Sequence, residues 1–268
     1  MKTKNALTRI FTLALAISAL NCKGTGKSEN TFVEPRVIYT QQEFLAYSMN
    51  SITLWKDIVK NLENQFKESN NDSIMAFKLA RAQYGLLTAC IGNQDETTFN
   101  EFFDKTEENI KNLLKSYPQW SALYAMQAGV YSLKMAFDPG KGRFLGPKSG
   151  KIIEKAIKCN EYEPTAWVQK AGSKLHTPKQ YGGSITEAIN CYNKAIELFE
   201  QNDSMLVNNW QYVNSIIWLG NAYNTAEQYE NALKTFEKAL KIAPDHGWVK
   251  YDLYPKAKSK IAELKGNN

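Results

Sequence analysis

Residues 216–244 read IIWLGNAYNTAEQYENALKTFEKALKIAP. Two runs with helical spacing flank a short polar turn, so the stretch predicts two antiparallel helices. Trp218, Leu219 and Gly220 open the pattern, followed by Tyr223, Ala232, Phe236, Ala239 and Pro244. Gly220 and Ala232 are small enough to let the two backbones approach, while Tyr223 and Phe236 fill the space between them. Ala239 admits the helix that follows. Pro244 closes the unit, because its ring disfavours helical geometry in the residue before it. A unit of this kind cannot bury its apolar face alone and stacks on copies of itself.

Two looser copies lie upstream. Ala188, Tyr192 and Ala195 in EAINCYNKAIEL match Ala232, Phe236 and Ala239 in NALKTFEKALKI, and Ile153 and Ala156 in IIEKAIKC match in part. The alanine steps are 39 residues (Ala156 to Ala195) and 44 residues (Ala195 to Ala239), against about 34 in a regular array. The surplus falls in the loops at 177–183 and 200–207. The order of residues resembles the tetratricopeptide repeat. FLGPKSGKIIEKAI, TPKQYGGSITEAINCYNKAIELFE, WLGNAY and HGWVKYDLYPK further resemble a group of secreted bacterial tetratricopeptide-repeat lipoproteins. A more distant similarity is to the helical lipoprotein partner of tripartite periplasmic transporters. The resemblance implies an all-α, right-handed α-solenoid of about four helix pairs plus a C-terminal capping helix. For the first half, a non-repeating helical bundle is the alternative.

Outside the repeat, apolar periodicity predicts helices over 41–67, 74–91, 99–117 and 120–137, then 150–159, 167–175, 185–199, 206–225, 228–242 and 248–264. DPGKGRFLGPKSGK (138–151) reads as a loop, since its glycines and prolines break helices. No strand-like alternation of useful length occurs. The expected organisation is a signal peptide (1–21), a flexible tether (22–40), divergent N-terminal helix pairs (41–140) and repeats with a capping helix (141–268).

The signal-peptide reading rests on Lys2, Lys4 and Arg9 ahead of an eleven-residue apolar core, IFTLALAISAL. That core is short of the roughly 20 residues that span a bilayer. Cys22 follows Ala19-Leu20-Asn21 as in a bacterial lipobox, although Asn21 is an unusual residue there, and it is the expected lipidation site. These features predict an exported chain, an outer-membrane lipoprotein facing the periplasm, with a soluble periplasmic or secreted protein as the alternative. Membrane attachment would come from the lipid anchor only.

The chain of 268 residues carries a net charge of +6. Removing residues 1–21 takes away three basic and no acidic residues, leaving +3. Lysines and glutamates interleave along the helices, which argues for a solvated surface and against a nucleic-acid partner. Cys90, Cys159 and Cys191 lack the spacing of a metal site or disulfide framework, although a Cys159–Cys191 bridge is compatible with an oxidising periplasm. His176 and His246 are the two histidines, and neither belongs to a metal-binding motif. The reading is therefore a non-catalytic protein with no cofactor or metal.

The expected function is binding or scaffolding in the cell envelope, with a protein or peptide partner in the helical-repeat groove. The alternative is a solute- or ligand-binding component beside a periplasmic transporter. On repeat geometry, Asn214, Ile217, Asn221 and Asn224 line the groove, where carboxamides suit peptide backbone. Trp120, Trp167, Trp210, Trp218 and Trp248 fall near helix starts or in packing positions, where core or inter-repeat contact is expected for most; Trp210 with Tyr212 is the aromatic pair to test for ligand contact. A second candidate is the loop at 177–183, where Gly182 and Gly183 admit a close approach and Tyr181 offers a stacking ring.

Overall fold

The structure, a computed structural model, describes residues 34, 38–70 and 72–266. The expected signal peptide, Cys22 and most of the tether lie outside these residues. Everything regular among the described residues is helical. The helices are α1 (Gln41–Ser48), α2 (Ile52–Glu68), α3 (Ser73–Asn93), α4 (Glu96–Ser116), α5 (Ser121–Phe137) and α6 (Gly142–Cys159). They continue with α7 (Pro164–His176), α8 (Ile185–Glu200), α9 (Trp210–Thr225), α10 (Tyr229–Ile242) and α11 (Tyr254–Gly266). A π-helical turn, Val249–Leu253, leads into α11. Short polar side chains start many of them: Ser51, Asp72, Asp95, Ser184 and Asn209 each accept a backbone N–H from the first turn of the helix they precede.

The fold is an all-α, tetratricopeptide-like solenoid. Four pairs, α3–α4, α5–α6, α7–α8 and α9–α10, follow one another, and α11 packs on α10. The first helices of the pairs stack in order, α3 on α5, α5 on α7 and α7 on α9, so they form one layer of the array. The spacing in the sequence places the small residues where the backbones meet. Ala156, Ala195 and Ala239 are completely buried, as are Ala188, Ala232 and Phe236. At Gly220 an added Cβ would stand 2.4 Å from Cε1 of Phe236, so the close crossing read from the sequence is present.

Three boundaries differ from the periodicity. The single helix expected over 41–67 is two helices. Asn50 turns the chain with φ 48°, a conformation asparagine tolerates better than most residues. Ser51 then caps α2, accepting from Leu54 N at 3.3 Å. The break frees α1 to leave the axis of α2. Apolar spacing on both sides of it is helical, which is why it is invisible to a periodicity count.

The stretch expected as a loop over 138–151 is mostly helix. A 3₁₀ turn at Pro139–Lys141 runs straight into α6, which contains Pro147. The proline deletes one donor near the start of an eighteen-residue helix, a loss that packing outweighs. Ile153 and Ala156 are buried against α5, and Ser149 Oγ donates to the Ala128 carbonyl at 3.4 Å. Finally, α9 begins at Trp210 rather than near 206. Asn209 accepts from the N–H groups of Gln211 and Tyr212 and donates to Met205 O, which fixes the start.

Parts of the stretch expected as a tether make contacts with the helices. Glu34 accepts a hydrogen bond from Ser121 N at the start of α5, at 2.7 Å. Residues 38–40 are held as closely, for reasons that belong to the site.

Candidate binding face

Repeat arrays bind along their concave surface, and the repeat geometry read from the sequence places that surface on the layer of first helices. Here α1 lies against it, touching α3 and α9, the first helices of the first and fourth pairs. Thr40 and Glu43 form a capping box that starts α1, with Thr40 N donating to Glu43 Oε2 at 2.8 Å and Glu43 N donating to Thr40 Oγ1 at 3.1 Å. The same carboxylate receives Arg81 Nε at 3.0 Å and Nη2 at 2.9 Å. Both side chains of this ion pair are essentially buried. Arg81 also donates to Ile38 O at 3.1 Å and lies over the Tyr39 ring. Tyr39 in turn donates its hydroxyl to Gln211 Oε1 on α9.

Tyr47, at the far end of α1, donates to Asn214 Oδ1 at 3.0 Å. Its ring lies 5.4 Å from Trp210 and 5.3 Å from His246. Trp210 meets Trp55 edge-on at 5.8 Å and tilts against Tyr84 at 5.9 Å. Tyr84 accepts from Gln169 on α7 at 3.2 Å. Burial pushes the Tyr39 and Tyr47 hydroxyls well above their ordinary range and the His246 imidazole down to about 4, so all three stay neutral at physiological pH.

This arrangement changes the expected groove. Trp210 is 1 % exposed, and Tyr212 and Ile217 are buried as well. Tyr212 and Ile217 belong to the core, and Trp210 is covered by Tyr47 of α1. Tyr212 packs edge-on against Phe199 and donates to Glu200 at 2.6 Å. Asn214 is occupied by Tyr47. The physical reason is curl: the first and fourth pairs come close enough for α1, Tyr84 and Trp210 to fill the space between them.

One turn further along α9 the face is uncovered, and it carries a row of rings. His176, at the end of α7, meets Trp218 edge-on at 5.0 Å. Trp218 meets Trp248 edge-on at 5.7 Å. Trp248 is 43 % exposed, and Tyr251 beyond it is 75 % exposed. Edge-to-face contacts hold such rings in place while leaving faces free. The row adjoins the covered part, since Trp248 lies two residues from His246, whose ring rests on Tyr47. Asn221 and Asn224 lie on the same helix. Asn221 donates to Ile217 O at 3.2 Å, which leaves its carbonyl oxygen for another donor. Asn224 Oδ1 is buried and without a partner.

Trp218 packs partly buried against the core as expected, Trp248 beside it is 43 % exposed, and Trp210 lies wholly inside. Periodicity could not separate them, because Trp210, Asn214 and Trp218 recur at the same four-residue interval on α9. The Glu43–Arg81 pair has no sequence signature at all.

The loop at 177–183 behaves as a turn. Gly182 adopts φ +94°, and its carbonyl accepts from Lys174 Nζ at 3.2 Å. Gly183 lies so close to the Thr177 carbonyl that no Cβ fits. Ser184 then caps α8. Tyr181 is 75 % exposed. Between α8, α9 and α10 there is a cleft of about 610 Å³, lined by Ile189, Asn190, Asn193, Tyr223 and Asn231 among others. Cys90, Cys159 and Cys191 are free thiols. Among the described residues, no group of three or more His, Cys, Asp or Glu side chains could hold a metal ion, and no helix is long and apolar enough to cross a membrane.

Residues 215–246 match the tetratricopeptide repeat. The chain carries a tetratricopeptide repeat. The matched residues are those of α9 and α10, the pair whose glycine and alanine positions are best formed. The solenoid also resembles solved structures. One is the HusA haemophore of Porphyromonas gingivalis, 16% identical, covering 69% of this chain and 91% of that one with a TM-score of 0.57. Another is a thermophilic tetratricopeptide-repeat protein of Thermus thermophilus, 18% identical, covering 83% of this chain and 100% of that one with a TM-score of 0.55. At these identities the likeness is one of fold. No curated protein matches the chain. Tetratricopeptide arrays are protein-interaction scaffolds, and their curvature provides the binding surface.

Proposed function

We propose that this tetratricopeptide-repeat protein is a binding scaffold of the bacterial cell envelope, taking a protein or peptide partner on the uncovered part of its first-helix layer. The row His176, Trp218 and Trp248 carries the reading. Rigid, partly exposed aromatic side chains are where interface binding energy concentrates, and Trp248 at 43 % exposure has its ring free to be covered. The carboxamide of Asn221, one turn away, suits the backbone of a docked segment.

The envelope setting is supported by the basic start, the eleven-residue apolar core and Cys22 in its lipobox-like context. On this reading the protein is exported and anchored by lipid at Cys22, with its repeats in the periplasm.

Affinity capture from envelope membranes tests the partner site. The baits are the wild-type chain and the Trp218→Ala/Trp248→Ala double variant, each checked for helical content by circular dichroism. A protein recovered on wild type, and at least ~10-fold depleted on the variant, is the expected result. Equal recovery on both baits would remove the aromatic row as the site. Recovery of a small molecule without a protein would replace the reading with solute binding.

A further inference from the structure

The fit between α1 and the face it covers is dense in rings, and its hydrogen bonds leave several buried polar atoms bare. Among the described residues, five buried side-chain atoms have no hydrogen-bond partner: Ser48 Oγ, Arg81 Nη1, Trp210 Nε1, Asn224 Oδ1 and His246 Nδ1. Four of these five belong to α1 or to a residue in contact with the 38–48 segment. Arg81 binds Glu43 and covers Tyr39; Trp210 and His246 both face Tyr47; Ser48 ends α1. Buried polar atoms are satisfied almost everywhere in folded proteins, so their concentration at one contact sets it apart from the helix pairs around it.

The covering segment is also slight. It is a helix of eight residues, shorter than an isolated helix can sustain, joined to α2 by the Met49–Ser51 turn. Its hold depends on a few side chains: Glu43 on Arg81, Tyr39 on Gln211 and Tyr47 on Asn214. Leu45 and Met49 are largely exposed.

We infer that α1 is a resident occupant of a peptide-binding face, and that the face's exchangeable ligand is a short helical segment of a partner protein carrying a carboxylate and an aromatic side chain as α1 does. The carboxylate takes the place of Glu43 on Arg81, whose guanidinium needs an anion in that buried setting. The aromatic group takes the place of Tyr47 between Trp210 and His246. Acceptors of the incoming backbone or side chains satisfy Trp210 Nε1 and Arg81 Nη1, which α1 leaves bare. When the partner withdraws, α1 returns and keeps the rings out of water. The inference rests on the first-helix layer being the partner-binding face, and the incoming segment runs on from there over Trp248 and Trp218.

Hydrogen exchange on the full wild-type chain is the direct test. The amides of α1 are expected to exchange at least ~100-fold faster than those in the middle of α3, through an opening that leaves the array folded. The companion measurement uses a fluorescein-labelled peptide of residues 38–49, IYTQQEFLAYSM. It is expected to bind a Tyr47→Ala chain at least ~10-fold tighter than wild type, where the site is filled. The same peptide with glutamine in place of Glu43 should lose at least ~10-fold. Exchange of α1 no faster than α3 would overturn the inference, making α1 a permanent part of the core with buried waters on the bare atoms. So would fast exchange with no peptide binding to the variant. Either result, together with loss of partner capture in the Trp218→Ala/Trp248→Ala chain, would leave the proposed partner site standing without this occupant.

Discussion

Gly220 on α9 and Phe236 on α10 occupy one shared space, with room for the ring but for no Cβ: the added atom would stand 2.4 Å from Cε1 and 2.7 Å from Cδ1. Phe236 is completely buried, and Ala232, one turn before it, is too. The ring cannot step aside, because the rest of its surroundings is core. Gly220→Ala should therefore lose about 2–3 kcal/mol of stability through overpacking, measured by urea unfolding. Gly150 lies within α6 with nothing inside 4 Å of its would-be Cβ. Gly150→Ala should gain about 0.5–1 kcal/mol, because it only stiffens the unfolded chain.

Trp210 and Trp248 should divide sharply in the same assay. Trp210 sits among Tyr47, Trp55 and Tyr84, and its truncation should cost about 3–5 kcal/mol. Trp248 is substantially exposed, and Trp248→Ala should change stability by less than about 1 kcal/mol. Similar losses at both positions would mean that the aromatic row is core after all.

Glu163 gives the chain a pH signature. It caps α7, accepting from Thr165 N at 3.0 Å, and burial raises its carboxyl to about 7 from 4.5, with Glu34 adding like charge. A carboxyl raised in the folded state keeps a proton that the unfolded chain has lost. Stability therefore falls as pH rises from about 4.5 to about 7 and is flat above that. Glu163→Gln removes this slope. The gain of the variant over wild type should be absent below pH 4, grow through that window and level off on the order of 2 kcal/mol, a figure that discounts for the half-buried residue. Denaturation at four or five pH values measures it. A difference that is constant with pH would mean that Glu163 is as ionised as a surface carboxylate.

For the anchor, the expected result is incorporation of radiolabelled palmitate into the chain expressed in a bacterial host, and its disappearance in Cys22→Ser. Label persisting in the variant would dismiss Cys22 as the lipidation site. An unlabelled wild-type chain in the culture medium or the soluble periplasmic fraction would favour the unanchored alternative.

How much of this was legible beforehand differs from helix to helix. The pair α9–α10 could be read nearly residue by residue, because Gly220, Ala232, Phe236 and Ala239 make their decisive contacts within one helical hairpin. Local contacts leave a local pattern. Pro147 misled the reading of α6, since the cost of one missing donor is local whereas the compensating burial of Ile153 and Ala156 on α5 is not. The break at Asn50 was missed for the opposite reason: the periodic apolar pattern continues across a turn made by backbone geometry.

Small and large residues at fixed intervals specify a stacked helical array, because they dictate how each helix meets its neighbour. Which part of the array is open depends on contacts between residues far apart in the chain. Glu43 meets Arg81 across 38 residues and Tyr47 meets Asn214 across 167. The second contact arises from the curl accumulated over four pairs, the first from the fold-back of α1 over α3, and no residue interval records either. They are what turned Trp210 inward and left Trp248 at the surface.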